Sequence, residues 1–363
     1  MAERQEQEPA KREVTEIAQN VLRMELPIRM PGLGHVNCYA LLDRDGAAVV
    51  DPGLPGPATW KAMDDRLRQA GLKVKDIHTV IVTHSHPDHF GGALRISRQA
   101  GARVIAHESF SFGGSTASIE EPKGSVEFVD EPKANPDPAE SPRKTIPASV
   151  PDFSRRTTPW GGDQPRPPLR TRLKWRFLRM VNSGSFIPTI TDPVRKGDVL
   201  ELAGTEWFIV HTPGHTEDHI CLHSPESGLF LAGDHVLPTI TPHISGIGHQ
   251  QDPLASFYDS LDLVAALPDV RRVLPAHGHP FDDLAHRCEA IKDHHDERLE
   301  KMRAISAAFG KPATVAAFSR KLFKPRSWGP MADSETFAHL EHLRIAGAVE
   351  RSEDSEGRFL YLA

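Results

Sequence analysis

Four side chains that can bind a metal ion lie within the six residues His84-Ser85-His86-Pro87-Asp88-His89. They directly follow residues 77–83, an apolar run with the composition of a buried strand. Neutral imidazoles suit zinc and related metals, and a carboxylate adds negative charge. A His-rich surface turn would explain the same residues, but the rest of the chain supplies further ligands of the same kind.

Three later segments repeat this arrangement of an apolar strand followed by a side chain that can bind a metal. His215 lies in a Pro-Gly turn after one strand, Asp234 follows a second, and His277 follows a third. Strand ends are where α/β folds build their sites. The candidate ligands form one group for a first ion, a second group for another ion and a bridging carboxylate: His84, His86 and His215; Asp88, His89 and His277; and Asp234.

These ligands predict two zinc ions per chain, with iron or manganese as alternatives, because imidazole and carboxylate accept several metals. Two ions about 3.5–4 Å apart would acidify a shared water to hydroxide near neutral pH. The hydroxide could attack a carbonyl carbon or a phosphorus while the metals neutralise the charge that develops on oxygen. The predicted reaction is therefore hydrolysis.

The order of the motifs resembles that of the metallo-β-lactamase-fold hydrolases. His84–His89 match the family's H-x-H-x-D-H motif, and Asn37-Cys38-Tyr39 and Asp51-Pro52-Gly53 match two earlier segments. The resemblance covers about 21–281 and implies a four-layer αβ/βα sandwich of the α/β class. It also implies that Asp88 binds the second metal and orients the hydroxide. Asp234 as the bridge is similar to the glyoxalase II branch, whereas many β-lactamases of this fold carry Cys or Ser there.

Composition and charge place the chain among ordinary globular proteins. Charged residues make up 25% of it, and the formal net charge of -6 disfavours a globally basic nucleic-acid-binding surface. Three widely spaced cysteines predict no disulfide framework. We expect residues 1–13 to form a disordered tail rather than a secretion signal. With no apolar stretch of about 18 residues, we expect a cytoplasmic protein that does not span a membrane.

Strands and helices alternate over 14–310, which predicts an α/β layered hydrolase domain. A helix is expected over 89–100, directly after the His cluster and closed by Gly101. The last segment, 311–363, has the order helix, helix and two short strands, with helices over 314–323 and 334–347. This order resembles a winged-helix domain and the β-lactamase-like endoribonucleases that carry one. Glu335 and Glu341 on the second helix oppose DNA binding, so packing or dimerisation is preferred.

A Pro-rich insertion over about 115–190 interrupts the domain. Its basic half, 141–179, contains ten basic and two acidic residues, with Trp160 and Trp175 interleaved. This half could be a lid that binds an anionic substrate such as an acyl-CoA, or a groove for single-stranded RNA. A solvated segment without a catalytic part is the third interpretation. We also expect a short helix over 175–181.

Further histidines lie close to the candidate ligands. We expect His243, in the loop after Asp234, to contact substrate or to support a ligand, while His219, His235 and His279 are weaker candidates for supporting ligands. His294 and His295 on the long helix 283–309 are interpreted as surface residues.

The preferred function is hydrolysis of a small-molecule ester or thioester, including acyl-CoA-type thioesters. The alternative is a metal-dependent endoribonuclease that acts on single-stranded RNA, and a β-lactamase or lactonase is less favoured. A nucleic-acid partner is therefore a secondary expectation. The oligomeric state stays open, a homodimer included.

Overall fold

The computed structural model describes residues 4–30, 32–112, 157–162 and 186–363. Most of the Pro-rich insertion, Trp175 and the helix expected over 175–181 included, lies outside these ranges. Within them, none of the helices is both long enough and apolar enough to cross a membrane. Cys38, Cys221 and Cys288 are buried free thiols, as the absence of a disulfide framework predicts.

The first sheet contains seven strands in chain order. Its members are β1 (Thr15–Ala18), β2 (Val21–Met30), β3 (Leu33–Leu42), β4 (Ala47–Val50), β5 (Ile77–Ile81), β6 (Arg103–His107) and β7 (Asp192–Val194). Strands β1 to β4 pair antiparallel, and β4 to β7 pair parallel. The parallel part brings the carboxyl ends of β4, β5 and β6 to the same edge of the sheet.

The second sheet contains five strands in the order β12-β11-β10-β9-β8. They are β8 (Val199–Leu202), β9 (Thr205–His211), β10 (Ile220–Ser224), β11 (Leu229–Gly233) and β12 (Arg272–Pro275). Only β11 and β12 among these pair parallel. Consequently, the residues that follow β11 and β12 leave the sheet on the same side.

Alternating side chains along the strands divide the interior into layers. Val49 faces a core with Met63 of α1 (Pro57–Gln69) and Ile96 of α3 (Ala93–Ala100). Val50 faces the opposite core, where it meets Trp207 of the second sheet. The far side of the second sheet is covered by α4 (Pro253–Ala265) and α5 (Leu284–Phe309). The result is the predicted four-layer αβ/βα sandwich.

The C-terminal segment packs onto α4 and α5. It contains β13 (Ala313–Thr314), α6 (Val315–Leu322), α7 (Pro330–Ile345), β14 (Glu350–Glu353) and β15 (Phe359–Leu362), with the three strands in one small sheet. Phe318, Leu340 and Tyr361 share one apolar cluster with Phe257 and Ile291 of the hydrolase domain. The two helices and the two strands after them come in the order predicted from the sequence. α7 begins at Pro330, four residues before the predicted start at 334, because proline fits the first turn of a helix. A winged-helix assignment stays a prediction.

One described part of the insertion, 157–162, lies against this C-terminal segment. The backbone carbonyl of Trp160 accepts a hydrogen bond of 3.0 Å from the Phe359 amide. The Trp160 ring lies 5.8 Å from that of Phe337 on α7, and Trp160 is only partly exposed. Trp160 thus packs on the protein itself, which does not favour the interpretation of 141–179 as a groove for single-stranded RNA.

Two sequence-based predictions are wrong because buried polar contacts were not anticipated. Residues 4–13 are not a disordered tail: Glu6 is 0% exposed, and its carboxylate accepts hydrogen bonds from Thr239 and Ile240. His295 is not a surface residue, because it is fully buried and its Nδ1 lies 3.0 Å from Nε2 of His339 on α7.

The helix expected over 89–100 is divided into α2 (Pro87–Phe90) and α3 at Gly91-Gly92. A Cβ on Gly92 would lie 2.4 Å from the carbonyl oxygen of Pro52, and one on Gly91 would lie 2.2 Å from Pro55 Cδ. The two glycines therefore let the His cluster pack directly against the 51–55 loop. The dihedral angles of Gly92, φ -85° and ψ -17°, are open to any residue, so only the close approach requires glycine.

We expect Gly92→Ala to lower the free energy of unfolding by about 1–3 kcal/mol, because the added methyl must displace the Pro52 backbone. Denaturant unfolding measures this change. Gly248→Ala is the matched control, since a Cβ there meets nothing within 4 Å. If Gly92→Ala is as stable as the control variant, the close approach is not a constraint.

Candidate metal centre

Four loops bring the predicted ligands to one edge of the two sheets. The His cluster follows β5, and His215 follows β9. Asp234 directly follows β11, and one residue separates His277 from the end of β12. The apolar residues of these strands are buried inside the sandwich. The side chains that can bind metal therefore lie beyond the last residue of each strand. The sequence-predicted ligands are thereby brought together from distant parts of the chain.

The first group contains His84, His86, His215 and Asp234, whose ligand-type atoms all lie within 4.8 Å of one another. Nε2 of His84 is 2.9 Å from Nδ1 of His86, which is 3.1 Å from Nε2 of His215. Oδ2 of Asp234 lies 3.7 Å from Nε2 of His215. Three imidazoles and one carboxylate therefore surround a single point.

The second group contains Asp88, His89 and His277, again with all ligand-type atoms within 4.8 Å. Oδ2 of Asp88 lies 3.7 Å from Nε2 of His89 and 3.6 Å from Nε2 of His277. Asp234 also reaches this group: its Oδ2 is 3.5 Å from His89 Nε2, and its Oδ1 is 3.3 Å from His277 Nε2. Asp234 is thus in contact with both groups, the position expected of a bridge.

The donor atoms fit a pair of transition-metal ions. His89 Nε2, His277 Nε2 and Asp234 Oδ1 are buried and have no hydrogen-bond partner among the described residues. Orphaned buried polar atoms are costly, and here three of them converge from different loops. A metal cation at each group would satisfy them. Imidazole nitrogen with carboxylate oxygen is a donor set that zinc, iron and manganese accept.

The second nitrogen of several imidazoles is held by a backbone or carboxylate acceptor. Nδ1 of His215 donates to the His243 carbonyl at 2.7 Å, and Nδ1 of His277 donates to the His35 carbonyl at 2.6 Å. Because Nδ1 carries the proton in both rings, Nε2 is left with a lone pair directed at the site. Such outer contacts fix the tautomer and orientation of metal-binding histidines.

Asp51 performs this function for the His cluster itself. Its Oδ2 lies 2.8 Å from Nδ1 of His89 and accepts the hydroxyl of Thr83 at 2.8 Å. The Thr83 oxygen in turn lies 3.0 Å from Nδ1 of His84. The Asp51 backbone has φ 54°, in the left-handed region that costs a non-glycine residue energy. The sequence marked Asp51 by resemblance only, and the structure places it in direct contact with His89 and, through the Thr83 hydroxyl, next to His84.

His219 supports the bridging carboxylate. Its Nε2 accepts a hydrogen bond of 3.0 Å from the backbone amide of Asp234, and its Nδ1 lies 2.8 Å from the hydroxyl of Thr212. A Cβ on Gly233 would lie 2.6 Å from the same Nε2, so glycine is needed for this approach. Neither ring nitrogen of the buried His235 has a hydrogen-bond partner within the described ranges. His279 contacts Glu8 at 3.0 Å instead of a ligand.

Burial and charge set the protonation of the ligands. Burial lowers the pKa of His84 and His86 well below the usual range, and neighbouring imidazoles add to this effect. Burial opposes protonation of His277, but the Asp234 carboxylate outweighs it and raises the pKa of that imidazole. His84 and His86 are thus neutral, as a metal requires, whereas a proton competes with metal for His277.

The loop after Asp234 is held by the N-terminal segment and by α5, two contacts that the sequence did not predict. The Glu6 carboxylate accepts the amides of Thr239 and Ile240 at 2.8 and 3.1 Å. Arg287 of α5 donates to the carbonyls of Leu237 and Ile240 at 2.6 and 2.7 Å. Both are charged residues in charged stretches, so nothing in the local pattern distinguishes them from surface residues.

Asp218 is a further buried acid that the sequence did not single out. Its Oδ1 accepts the hydroxyl of Ser85, between two ligands of the His cluster, at 3.0 Å. Burial raises the pKa of Asp218 to about 7. The contact ties the His cluster to the segment that carries His215.

Asp234→Ala should weaken the binding of both metals, because it removes a carboxylate that is in contact with both groups. Metal content after dialysis, and competition with a chelator, measure this effect. Asp262→Ala, which removes an exposed carboxylate paired with Lys292, is the control. Two tightly bound metals per chain in the Asp234 variant would show that it is not the bridge.

Glu6→Ala should lower the free energy of unfolding by about 1–3 kcal/mol, because the hydrogen bonds that the buried Glu6 carboxylate accepts from Thr239 and Ile240 are lost. Glu16→Ala is the control, since Glu16 is exposed on β1. Denaturant unfolding of both variants measures the difference. Equal stability of the two would mean that the N-terminal segment does not hold the loop.

The chain is similar to known proteins over most of its length. The family model described as the metallo-beta-lactamase superfamily matches residues 31–277. The chain is 26% identical over 339 residues to the probable metallo-hydrolase YqjP of Bacillus subtilis (strain 168), which covers 89% of this chain and 93% of that protein. A hydroxyacylglutathione hydrolase of Maricaulis maris (strain MCS10) is 33% identical over 136 residues, covering 36% of this chain and 51% of that protein.

A solved structure agrees over nearly the whole chain. A metallo-beta-lactamase family protein from Thermus thermophilus has a TM-score of 0.69 at 28% identity, covering 96% of this chain and 99% of that one. Because the family model spans more than half of the chain and both groups of ligands lie within it, the chain belongs to the metallo-beta-lactamase superfamily of hydrolases.

Proposed function

We propose that the protein hydrolyses an ester or a thioester, including thioesters of the acyl-CoA type, with two zinc ions per chain. The observation that carries this proposal is the Asp234 carboxylate in contact with both ligand groups. The similarity to hydroxyacylglutathione hydrolases, named for a thioester substrate, supports it over part of the chain. Iron or manganese would fit the same donors.

The chain's residues have distinct parts in this reaction. A bound metal pair supplies Lewis acidity and lowers the pKa of water. Asp88, 4% exposed and within 3.7 Å of two imidazoles, would hold the second ion and would accept a hydrogen bond from the attacking water, which would fix the direction of attack. Asp51 and His219 keep the ligand side chains and Asp234 in place without touching substrate.

His243 is the residue that we propose for substrate contact. It lies in the loop after Asp234, with a side chain that is 22% exposed. Burial lowers the pKa of His243 to about 4, and the Arg298 cation adds to this, so the ring is neutral at physiological pH. Because Nδ1 faces the Glu335 carboxylate and carries the proton of the neutral ring, Nε2 can accept one hydrogen bond from a hydroxyl or amide N–H of the substrate.

A substrate panel tests the proposal on purified protein whose metal content has been measured. The panel contains an ester, an acyl-CoA thioester, a lactone, a β-lactam and single-stranded RNA. We expect turnover of the ester or thioester, with loss of activity on chelation and recovery on adding zinc. Metal-dependent cleavage of RNA alone would favour the endoribonuclease alternative, and no turnover of the ester, thioester or lactone would overturn the proposal.

Asp88→Ala should reduce kcat on the active panel substrate to background, because the attacking water loses its acceptor and the second ion a ligand. Steady-state kinetics with metal analysis measures both effects. Asp282→Ala is the control, because Asp282 is exposed and pairs with Arg272. Near-wild-type activity of the Asp88 variant would contradict this mechanism.

A further inference from the structure

The first turns of α7, in the C-terminal segment, contact the loop that follows Asp234. Oε2 of Glu335 lies 3.3 Å from Nδ1 of His243, and its Oε1 pairs with the Arg298 guanidinium from α5. The Glu335 and Arg298 side chains are only 13% and 16% exposed. Buried polar side chains are costly unless they pair with one another. The pairing of Glu335 with Arg298 and His243 therefore fixes the positions of all three side chains.

The same loop residue contacts the metal centre through its backbone. The His243 carbonyl accepts the Nδ1 proton of His215 at 2.7 Å. Arg298, Glu335, His243 and His215 therefore form one continuous chain of contacts. It runs from the C-terminal segment to the ring of a residue that binds metal.

A second contact fixes the loop three residues further along. The hydroxyl of Ser334 accepts the backbone amide of Gly246 at 3.0 Å. A Cβ on Gly246 would lie 2.7 Å from the Ser334 carbonyl, so backbone and helix are in direct contact. Neighbouring residues of α7 thus hold the loop at two points, which opposes rotation of the His243 peptide.

We infer that Glu335 is a positioning residue of the metal centre, which sets the orientation of His215 through His243. The C-terminal segment then completes the site and is more than a packing unit. This inference rests on the metal centre of the proposed function, but it does not depend on which substrate is hydrolysed. Glu335 acts through another residue and touches neither metal nor substrate.

Charge explains why a carboxylate is needed at this position. Burial lowers the pKa of Arg298 to about 10, so it stays a cation at neutral pH. Without Glu335, the buried Arg298 would keep His294 as a partner, 3.1 Å from its Nη2, but would lose its carboxylate. An uncompensated buried cation next to His243 would displace the loop or draw in water.

The test measures metal binding without any substrate. Zinc is titrated into apoprotein of the full chain in competition with a chromophoric chelator, and the cobalt(II) absorption spectrum reports the ligand geometry. We expect Glu335→Ala to weaken one of the two ions about tenfold and to shift the cobalt bands, as the loss of outer contacts to a ligand does. Glu335→Gln, which keeps the shape and one acceptor, should restore part of the affinity.

Glu341→Gln on the same helix is the matched control. Its side chain, 10% exposed, binds Arg344, Arg351 and Tyr361 within the C-terminal segment, away from the loop. We expect this variant to lower the melting temperature while zinc affinity and the cobalt spectrum stay unchanged.

Wild-type zinc affinity and cobalt bands in Glu335→Ala would overturn the inference. An equal loss of affinity in Glu341→Gln would also overturn it, because general loosening of the segment would then be the cause. Failure of the ester or thioester assignment would leave these binding results untouched, so the two proposals fail separately.

Discussion

The carboxylate of Asp234, buried between imidazoles from three other loops, is the constraint on which the site depends. Its two oxygens lie 3.3–3.7 Å from nitrogens of His277, His89 and His215. In that dry position neither the acid nor the imidazoles can be left unpaired without a large cost in free energy. Two cations at this point would satisfy all of them at once, and seven residues that could bind metal, Asp234 included, converge here.

Holding the donors in place requires partners from the whole chain. Asp51 comes from the first sheet, His219 from the second, Glu6 from the N-terminal segment and Glu335 from the C-terminal helix. Each acts on a ligand or on the loop that follows Asp234. The site therefore depends on residues from four parts of the fold, and the loss of any one of these partners should change how the ligands are held.

The convergence of the candidate ligands could be predicted from sequence because each follows an apolar strand. The fold could be predicted because strand and helix patterns alternate. The outer contacts could not be predicted, because they join residues far apart. Glu6 and Thr239 are 233 positions apart, and Glu335 looked like an exposed acid on a helix. The break at Gly91-Gly92 was missed for the same reason, since the Pro52 backbone requires it. Most of the insertion lies outside the described residues, so its predicted roles stay predictions.

Zinc-edge anomalous diffraction from crystals of the zinc-loaded protein would locate the metal ions relative to Asp234. We expect two peaks about 3.5–4 Å apart. One would lie among His84, His86 and His215, the other among Asp88, His89 and His277, with an oxygen of Asp234 in bonding distance of each. A single peak at full zinc loading, or an Asp234 side chain that contacts neither peak, would contradict this expectation.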